Sequence, residues 1–294
     1  MSVDLAIIPV AGQGTRMLPA TKSQPKEMLP VGRKPVVQYV VEELALSGLH
    51  RMLFITGPGK TSIENHFDIN PELIAFLRER GKEELLAELE FERQDVQYFY
   101  TRQRRQLGLG HAVLCARALV GEQPFVVALG DSIIGVHAQS NIVRRMVDEF
   151  TRSGADAVIA FETVPRAEVV HYGIAQPRGR STEVFELDDI IEKPDVAEAP
   201  SDLAVAARYV FKPVIFELLA QTPPGKGGEI QLTDAIRMLI TRGGRVLGMP
   251  LAPGERRFDI GGFDSYFRAF IEFALADPRY GPELGEFVRQ LMVR

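Results

Sequence analysis

The sequence predicts an α/β fold: a mostly parallel sheet with helices on both faces. Three observations point there. Short runs apolar at every residue recur along the chain, several are separated by stretches with helical spacing, and the first run empties into a glycine loop. A run apolar on consecutive rather than alternate residues belongs to a strand covered on both sides, the condition inside a parallel sheet. The 294 residues are 46% hydrophobic, enough to fill a sizeable core, which excludes a disordered or fibrous chain.

The first strand is expected at residues 5–10, where the run Leu5, Ala6, Ile7, Ile8, Pro9, Val10 leads into Ala11, Gly12, Gln13 and Gly14. Next, Val36, Val37, Val40, Val41 and Leu44 repeat at helical spacing, Gly48 stops that helix, and 52–56 is the following apolar run, completing a βαβ unit. Residues 71–92 are dense in Glu, Arg, Leu and Lys and read as a polar helical excursion from the sheet, solvated, with a lid or a partner contact as the alternative. Further strands are expected at 96–100, 125–129, 157–161, 205–211 and 245–249. After Phe258 two amphipathic helices, 263–275 and 282–293, follow without an intervening strand and are expected on the outside or against another subunit. The chain thus divides into an α/β domain over 1–262 and C-terminal helices over 263–294, and any subdomain is an insertion, since no repeat or flexible linker interrupts it.

Charge and cysteine usage narrow the class. With 34 basic and 39 acidic residues the net charge is -5, which argues against a broad phosphate-neutralising surface and hence against nucleic acid. A small polyanionic substrate needs only a local cluster of cations. The single cysteine, Cys115, forms no intrachain disulfide, and no Cys/His grouping has zinc spacing, so a reducing cytoplasm is expected. Met1 to Asp4 lack a basic leader, and the run 5–10 is too short for a signal core or a membrane span, so a soluble, unexported protein with no membrane partner is expected.

Two glycine loops fail their familiar tests. Gly12 and Gly14 follow a strand as in dinucleotide folds, but Met17 stands where that fingerprint has Gly or Ala. Gly57, Pro58, Gly59, Lys60 and Thr61 resemble the tail of a Walker A loop, but Phe54 replaces its first glycine. The first loop fits a different task. Its small residues Gly12, Gly14 and Thr15 leave backbone N–H groups free for phosphate oxygens, and Arg16, Lys22 and Lys26 place three cations within eleven positions, a cradle for a triphosphate.

Together with this loop, six further segments resemble the nucleotidyltransferases that activate sugar 1-phosphates, and among them the bacterial UTP–glucose-1-phosphate uridylyltransferases. They are 63–68 (Ile-Glu-Asn-His-Phe-Asp), 107–113 (Leu-Gly-Leu-Gly-His-Ala-Val), 129–131 (Leu-Gly-Asp), 192–194 (Glu-Lys-Pro), 223–235 (Pro-Pro-Gly-Lys-Gly-Gly-Glu-Ile-Gln-Leu-Thr-Asp-Ala) and 258–261 (Phe-Asp-Ile-Gly). The similarity covers nearly the whole chain. It implies a Rossmann-like fold of nucleotidyltransferase type, with the nucleotide half mainly in 1–135 and the sugar half mainly in 172–235. The implied reaction is attack by a sugar phosphate oxygen on the α-phosphorus of UTP, making UDP-glucose from glucose 1-phosphate and releasing pyrophosphate. The implied assembly is a homodimer or homotetramer. A different base or hexose 1-phosphate, chiefly dTTP, and a non-catalytic sugar-nucleotide-binding paralogue remain the alternatives.

The chemistry explains why such a site contains no catalytic Ser, Cys or His. A phosphate monoester loses its second proton near pH ~6, so the nucleophile is already ionised at neutral pH. The step needs in-line placement and neutralisation of two polyanions, which Mg²⁺ with Lys and Arg residues supplies. By resemblance Asp131 and Asp259 hold Mg²⁺, and Arg16, Lys26, Asp131 and Lys193 are the catalytic set. The family often has a second Asp where this chain has Ser132, a change expected to be tolerated. Ala11, Gly12, Gly14, Thr15, Lys22, Gln103 and Gly108 match the nucleotide pocket, where a side-chain amide reads the uracil N3–H. Arg104 and Arg105 follow Gln103 where the family has Gly and an uncharged or acidic residue, and read as a solvated rim or as triphosphate contacts. On the sugar side, Lys193 binds the phosphate, its backbone expected to be extended because Pro194 follows. Glu192 and Glu229 accept from sugar hydroxyls, and Gly173 contacts the hexose through its backbone or is a plain turn glycine. Thr233 or Asp234 is expected to support a helix start, His111 to begin a helix near the base, Cys115 to be a small buried apolar group, and Lys60 to be a solvated helix-start residue. His50, His66 and His137 carry no functional signal.

Overall fold

The computed structural model describes residues 3–93, 95–179 and 183–293. Thirteen strands appear in chain order: β1 (Leu5–Pro9), β2 (Pro30–Val31), β3 (Lys34–Pro35), β4 (Arg51–Thr56), β5 (Gln97–Arg102), β6 (Phe125–Ala128), β7 (Ser132–Ile134), β8 (Ala157–Thr163), β9 (Gly173–Arg178), β10 (Phe185–Glu192), β11 (Leu203–Phe211), β12 (Val246–Pro250) and β13 (Arg257–Asp259). The α-helices are α1 (Val36–Leu46), α2 (Thr61–Phe67), α3 (Pro71–Glu79), α4 (Glu83–Ala87), α5 (Leu109–Leu114), α6 (Arg117–Val120), α7 (Ile142–Ser153), α8 (Val214–Gln221), α9 (Leu232–Thr241), α10 (Phe263–Ala276) and α11 (Gly281–Met292).

Nine strands form one sheet in the order β5-β4-β1-β6-β11-β8-β12-β10-β9. Seven of the nine point the same way and β10 and β11 reverse, so the sheet is mixed: β5, β4, β1 and β6 form a parallel run as the apolar runs predict, and the pairs made by β10 and β11 are antiparallel. Both faces are covered. One core joins the sheet to α5, α6, α8 and α9, with Phe125, Phe211 and Phe216 among its largest members. The other joins it to α1, α2 and α7 through residues such as Val40, Leu44, Ile63, Met146 and Phe150. This double burial is why every residue of β6 and β11 is buried.

Strand β11 departs from ideal pairing: its register with β8 shifts between Val205 and Tyr209, and Ala207 there has a φ of 60°. The distortion re-aims Arg208, which becomes important below. Strands β9 and β10 are additions to the expected set. Strand β9 contains Pro177 and ends the sheet order, where a missing N–H is tolerated.

The polar excursion is two helices rather than one, α3 and α4, which bury only Leu77 and Leu86 respectively. Helix α10 is firmly built in: Phe273 meets Tyr39 and Phe258 edge to face, each at 5.1 Å between ring centroids. Helix α11 buries only Gly281. Among the described residues no helix is long and apolar enough to cross a membrane.

Candidate active site

Strands β1 and β6 are parallel neighbours, so the loops that leave them open on the same edge of the sheet. The first loop begins at Val10, whose N–H donates to the Ile55 carbonyl at 3.0 Å, and turns at Gly14 into a 3-10 turn over Thr15–Met17. The second delivers Asp131 and enters β7. Strand β13 pairs antiparallel with β7, setting Asp259 opposite Ser132, and the Ile260 N–H donates to the Asp131 carbonyl at 2.9 Å. Two aspartates far apart in sequence therefore become neighbours.

Cations from the first loop reach the same place. The Lys26 ammonium donates to Asp131 Oδ2, and its stem passes beside Gly12. Arg16 comes near Asp259: a Cβ at Gly261 would sit 3.0 Å from both Arg16 Nη2 and Asp259 Oδ2. Thr15 and Lys22 are exposed. Burial works to raise the Asp131 carboxyl, but the Lys26 charge and hydrogen bond override it and hold the group below the usual carboxylate range. Asp259 goes the other way, pushed up by burial and by the Asp131 charge, with Arg257, Lys26 and Arg16 only partly offsetting them.

The donor set fits a hard divalent cation. Asp131 and Asp259 lie close enough for the Asp131 charge to push Asp259 up, a pair of carboxylates that a divalent ion can share, and Mg²⁺ takes one or two carboxylates and completes its shell with phosphate oxygens and water. Among the described residues no cluster of three or more His, Cys, Asp or Glu is disposed to hold a metal by itself. Asp131 and Asp259 thus fit an ion that arrives with an anionic ligand rather than an all-protein cage.

Three buried ion pairs stand behind this centre, none anticipated from sequence. Lys60 is not a solvated helix-start residue: its ammonium is buried and donates to Glu27 Oε2 at 2.9 Å, tying the start of α2 to the residue after Lys26. Arg208 and Glu43 are both fully buried; Arg208 Nη2 donates to Glu43 Oε2 at 2.6 Å and to the Ser132 carbonyl at 2.9 Å, directly behind Asp131. Arg257 Nε donates to Glu162 Oε1 at 2.6 Å, and its guanidinium lies over the Tyr172 ring at 4.5 Å. Burial opposes the Arg257 charge, but Glu162 and Asp259 raise its proton affinity above the ordinary arginine range. Arg208 stands out in the sequence as a cation inside an otherwise apolar strand, but nothing local marks Glu43 as its partner, nor Glu27 as the partner of Lys60 or Glu162 as that of Arg257.

The base and sugar segments are stitched together. Gly108 has a φ of 97°, and a side chain there would strike Glu229 Cβ at 2.7 Å and the Ile230 carbonyl at 2.8 Å. The Ile230 N–H donates to the Leu107 carbonyl at 2.8 Å, and the Gly110 N–H to the Ile230 carbonyl at 2.9 Å. Gln103 is buried at the end of β5, its Nε2 donating to the Gly108 carbonyl. Gln106 also enters this corner, donating to the Ala11 carbonyl at 2.8 Å, a contact the sequence reading missed. His111 does lie in the first turn of α5, and Arg104 and Arg105 are exposed. Cys115 is half-buried rather than sealed in the core.

On the sugar side Thr233 is not a helix cap. Its hydroxyl donates to Glu192 Oε2 at 2.7 Å, while Lys193 Nζ approaches Glu192 Oε1 at 3.2 Å. Gly173 is no turn glycine either. It opens β9 with Thr233 Oγ1 at 3.0 Å and Glu192 Oε2 at 3.4 Å from where a Cβ would be. The expected extended backbone at Lys193 is also corrected: its φ is 46°. Its N–H donates to the Tyr172 carbonyl at 2.8 Å and its carbonyl accepts from Lys226 Nζ at 2.7 Å, and these two bonds hold the bend against the preference imposed by Pro194.

The result is a group of two carboxylates and several cations, with a buried amide at Gln103 and a hydrogen-bonded carboxylate at Glu192. Comparison with known proteins agrees. The Nucleotidyl transferase family model matches residues 5–274. A UTP–glucose-1-phosphate uridylyltransferase of Staphylococcus saprophyticus is 40% identical over 291 residues, covering 99% of this chain and 99% of that protein. A UTP–glucose-1-phosphate uridylyltransferase of Bacillus subtilis is 43% identical over 289 residues, covering 98% of this chain and 95% of that protein. A solved structure of UTP-bound UGPase from Acinetobacter baumannii matches with a TM-score of 0.89 at 39% identity, covering 98% of this chain and 99% of that one. The chain belongs to the nucleotidyl transferase family.

Proposed function

We propose that this chain forms UDP-glucose and pyrophosphate from UTP and glucose 1-phosphate, with Mg²⁺, by direct displacement. The observation that carries this reading is the meeting of Asp131 and Asp259 across β7 and β13 with Lys26 seated on Asp131 and Arg16 beside Asp259. The relatives named above support the choice of UTP and glucose 1-phosphate.

Each residue then has a task. The first loop wraps the triphosphate with backbone N–H groups of Gly12, Gly14 and Thr15, while Arg16, Lys22 and Lys26 balance its charge. Ala11, Gly12, Gln103 and Gly108 receive the uracil. Lys193 holds the phosphate of the sugar, Glu192 and Glu229 accept from its hydroxyls, and Gly173 lets the ring approach the backbone. Asp131 and Asp259 hold Mg²⁺, which when bound offsets the charge of both reactants. The nucleophile arrives ionised, so no side chain needs to take a proton from it. Residues 1–135 serve mainly the nucleotide and 172–235 the sugar.

We place the protein in the cytoplasm as a homodimer or homotetramer. Phe267, Ile271, Phe287 and Leu291 on α10 and α11 are each about half exposed, an apolar surface that a second copy would cover. Light scattering on the purified protein should give a mass above the monomer, and a monomer at micromolar concentration would overturn that assembly.

Pyrophosphate release from a panel of nucleoside triphosphates and hexose 1-phosphates tests the function. UTP with glucose 1-phosphate should be the best pair and should fail after chelation, with Mg²⁺ restoring turnover. A nucleotidyl group trapped on the protein after incubation with UTP alone would contradict direct displacement.

A further inference from the structure

We infer that His111 is a positioning residue for base recognition: together with the Gly108 carbonyl, its imidazole holds the Gln103 amide in one orientation toward the base. This rests on the reading of Gln103 as the uracil contact given above. Two acceptors converge on Gln103 Nε2. The Gly108 carbonyl lies at 3.0 Å and His111 Nδ1 at 2.9 Å. A carbonyl can only accept, so the atom facing Gly108 must be the amide nitrogen. Its second hydrogen then points to His111 Nδ1, which must carry a lone pair, leaving the ring proton on Nε2.

Other contacts agree with that tautomer. Burial holds the imidazole below its usual range, favouring the neutral ring. The Cys115 thiol, 3.9 Å from the same Nδ1, is a weak donor one turn along and needs no proton there. With both amide hydrogens engaged, Gln103 Oε1 is left over. Among the described residues no group donates to it, and it is not among the buried atoms lacking a partner. An acceptor therefore remains available to a ligand.

An acceptor at that place selects by chemistry. Uracil and thymine offer an N3–H donor; cytosine offers an N3 lone pair. Rotating the amide to suit cytosine would set Oε1 against the Gly108 carbonyl and give up the hydrogen bond to His111 Nδ1 in this tautomer, two costs in a buried corner. The Gly108 carbonyl and His111 together thus make the amide one-sided.

The test is the ratio of kcat/KM for UTP to that for CTP in H111A, H111F and H111N. Alanine and phenylalanine provide no acceptor, whereas asparagine can place Oδ1 near the position of Nδ1. H111A and H111F should raise KM for UTP and lower the UTP/CTP ratio by about tenfold. The UTP/dTTP ratio and KM for glucose 1-phosphate should stay unchanged, because both bases share N3–H and the sugar end is remote. H111N should restore most of the UTP/CTP ratio. An unchanged UTP/CTP ratio in H111F, or no recovery in H111N, would overturn the positioning role. Q103A separates the two levels: if it loses base selectivity while H111F keeps it, only the role of His111 falls. If neither variant changes selectivity, Gln103 is not the base contact and both fall.

Discussion

The Asp131 edge and the Glu192 edge of this site are built by different physics. Around Asp131 the supporting groups are charged and buried: Lys60 with Glu27, Arg208 with Glu43, Arg257 with Glu162. Around Glu192 the support is close approach, with Gly173 and Gly108 letting backbone and carboxylates touch and a left-handed Lys193 held by two hydrogen bonds. The Lys193 side chain is 39% exposed against 14% for Lys26. A centre that must confront two polyanions gains from groups whose charges are fixed before substrate arrives, since little reorganisation is then left for the reaction. A pocket for hydroxyls needs shape and a few hydrogen bonds instead.

This contrast can be broken at several points. The largest effect is expected from D131N or D259N, in which turnover by pyrophosphate release should fall about a thousandfold while circular dichroism stays native. Next, R208M should cost about 3 to 5 kcal/mol in urea unfolding, because Glu43 would be stranded as an unpaired buried charge; a loss under 1 kcal/mol would remove the buried pair from the frame of the site. K193A should raise KM for glucose 1-phosphate about tenfold to a hundredfold and leave KM for UTP alone, since one charge-assisted contact is lost on the exposed side. Equal losses for both substrates would place Lys193 at the triphosphate. G173A should be milder, costing about 1 to 3 kcal/mol of stability through crowding of Thr233 and Glu192, with a several-fold rise in KM for the sugar phosphate. The smallest effect is expected from R268A, whose partner Asp264 is 83% exposed; unfolding should shift by less than about 0.5 kcal/mol.

The same contrast governs what the sequence revealed. Strands β1, β4, β6, β8, β11 and β12 announce themselves as apolar runs because both faces are buried. Strands β9 and β10 did not, because Pro177 breaks one and Asp188 and Asp189 dilute the other, and both lie at the open end of the sheet. Motif resemblance pointed to Asp131, Asp259, Lys26 and Lys193, and the structure brings Asp131, Asp259 and Lys26 together. Their supporting partners stayed hidden. A pair such as Glu43 with Arg208 joins a helix to a distant strand, and no local spacing encodes that meeting. The backbone of Lys193 was misjudged for a similar reason: the preference set by Pro194 is local, and the Tyr172 carbonyl and Lys226 ammonium that override it are not.

Everything in the chemistry depends on Asp131 and Asp259 sharing one ion with the nucleotide. A crystal structure of the protein soaked with UTP and Mn²⁺, with anomalous scattering used to find the metal, reads this directly. A manganese peak within coordination distance of both carboxylates and of a triphosphate oxygen is the expected result. Manganese bound only elsewhere, with Asp131 still engaged by Lys26 and Asp259 away from any ion in the UTP complex, would contradict it.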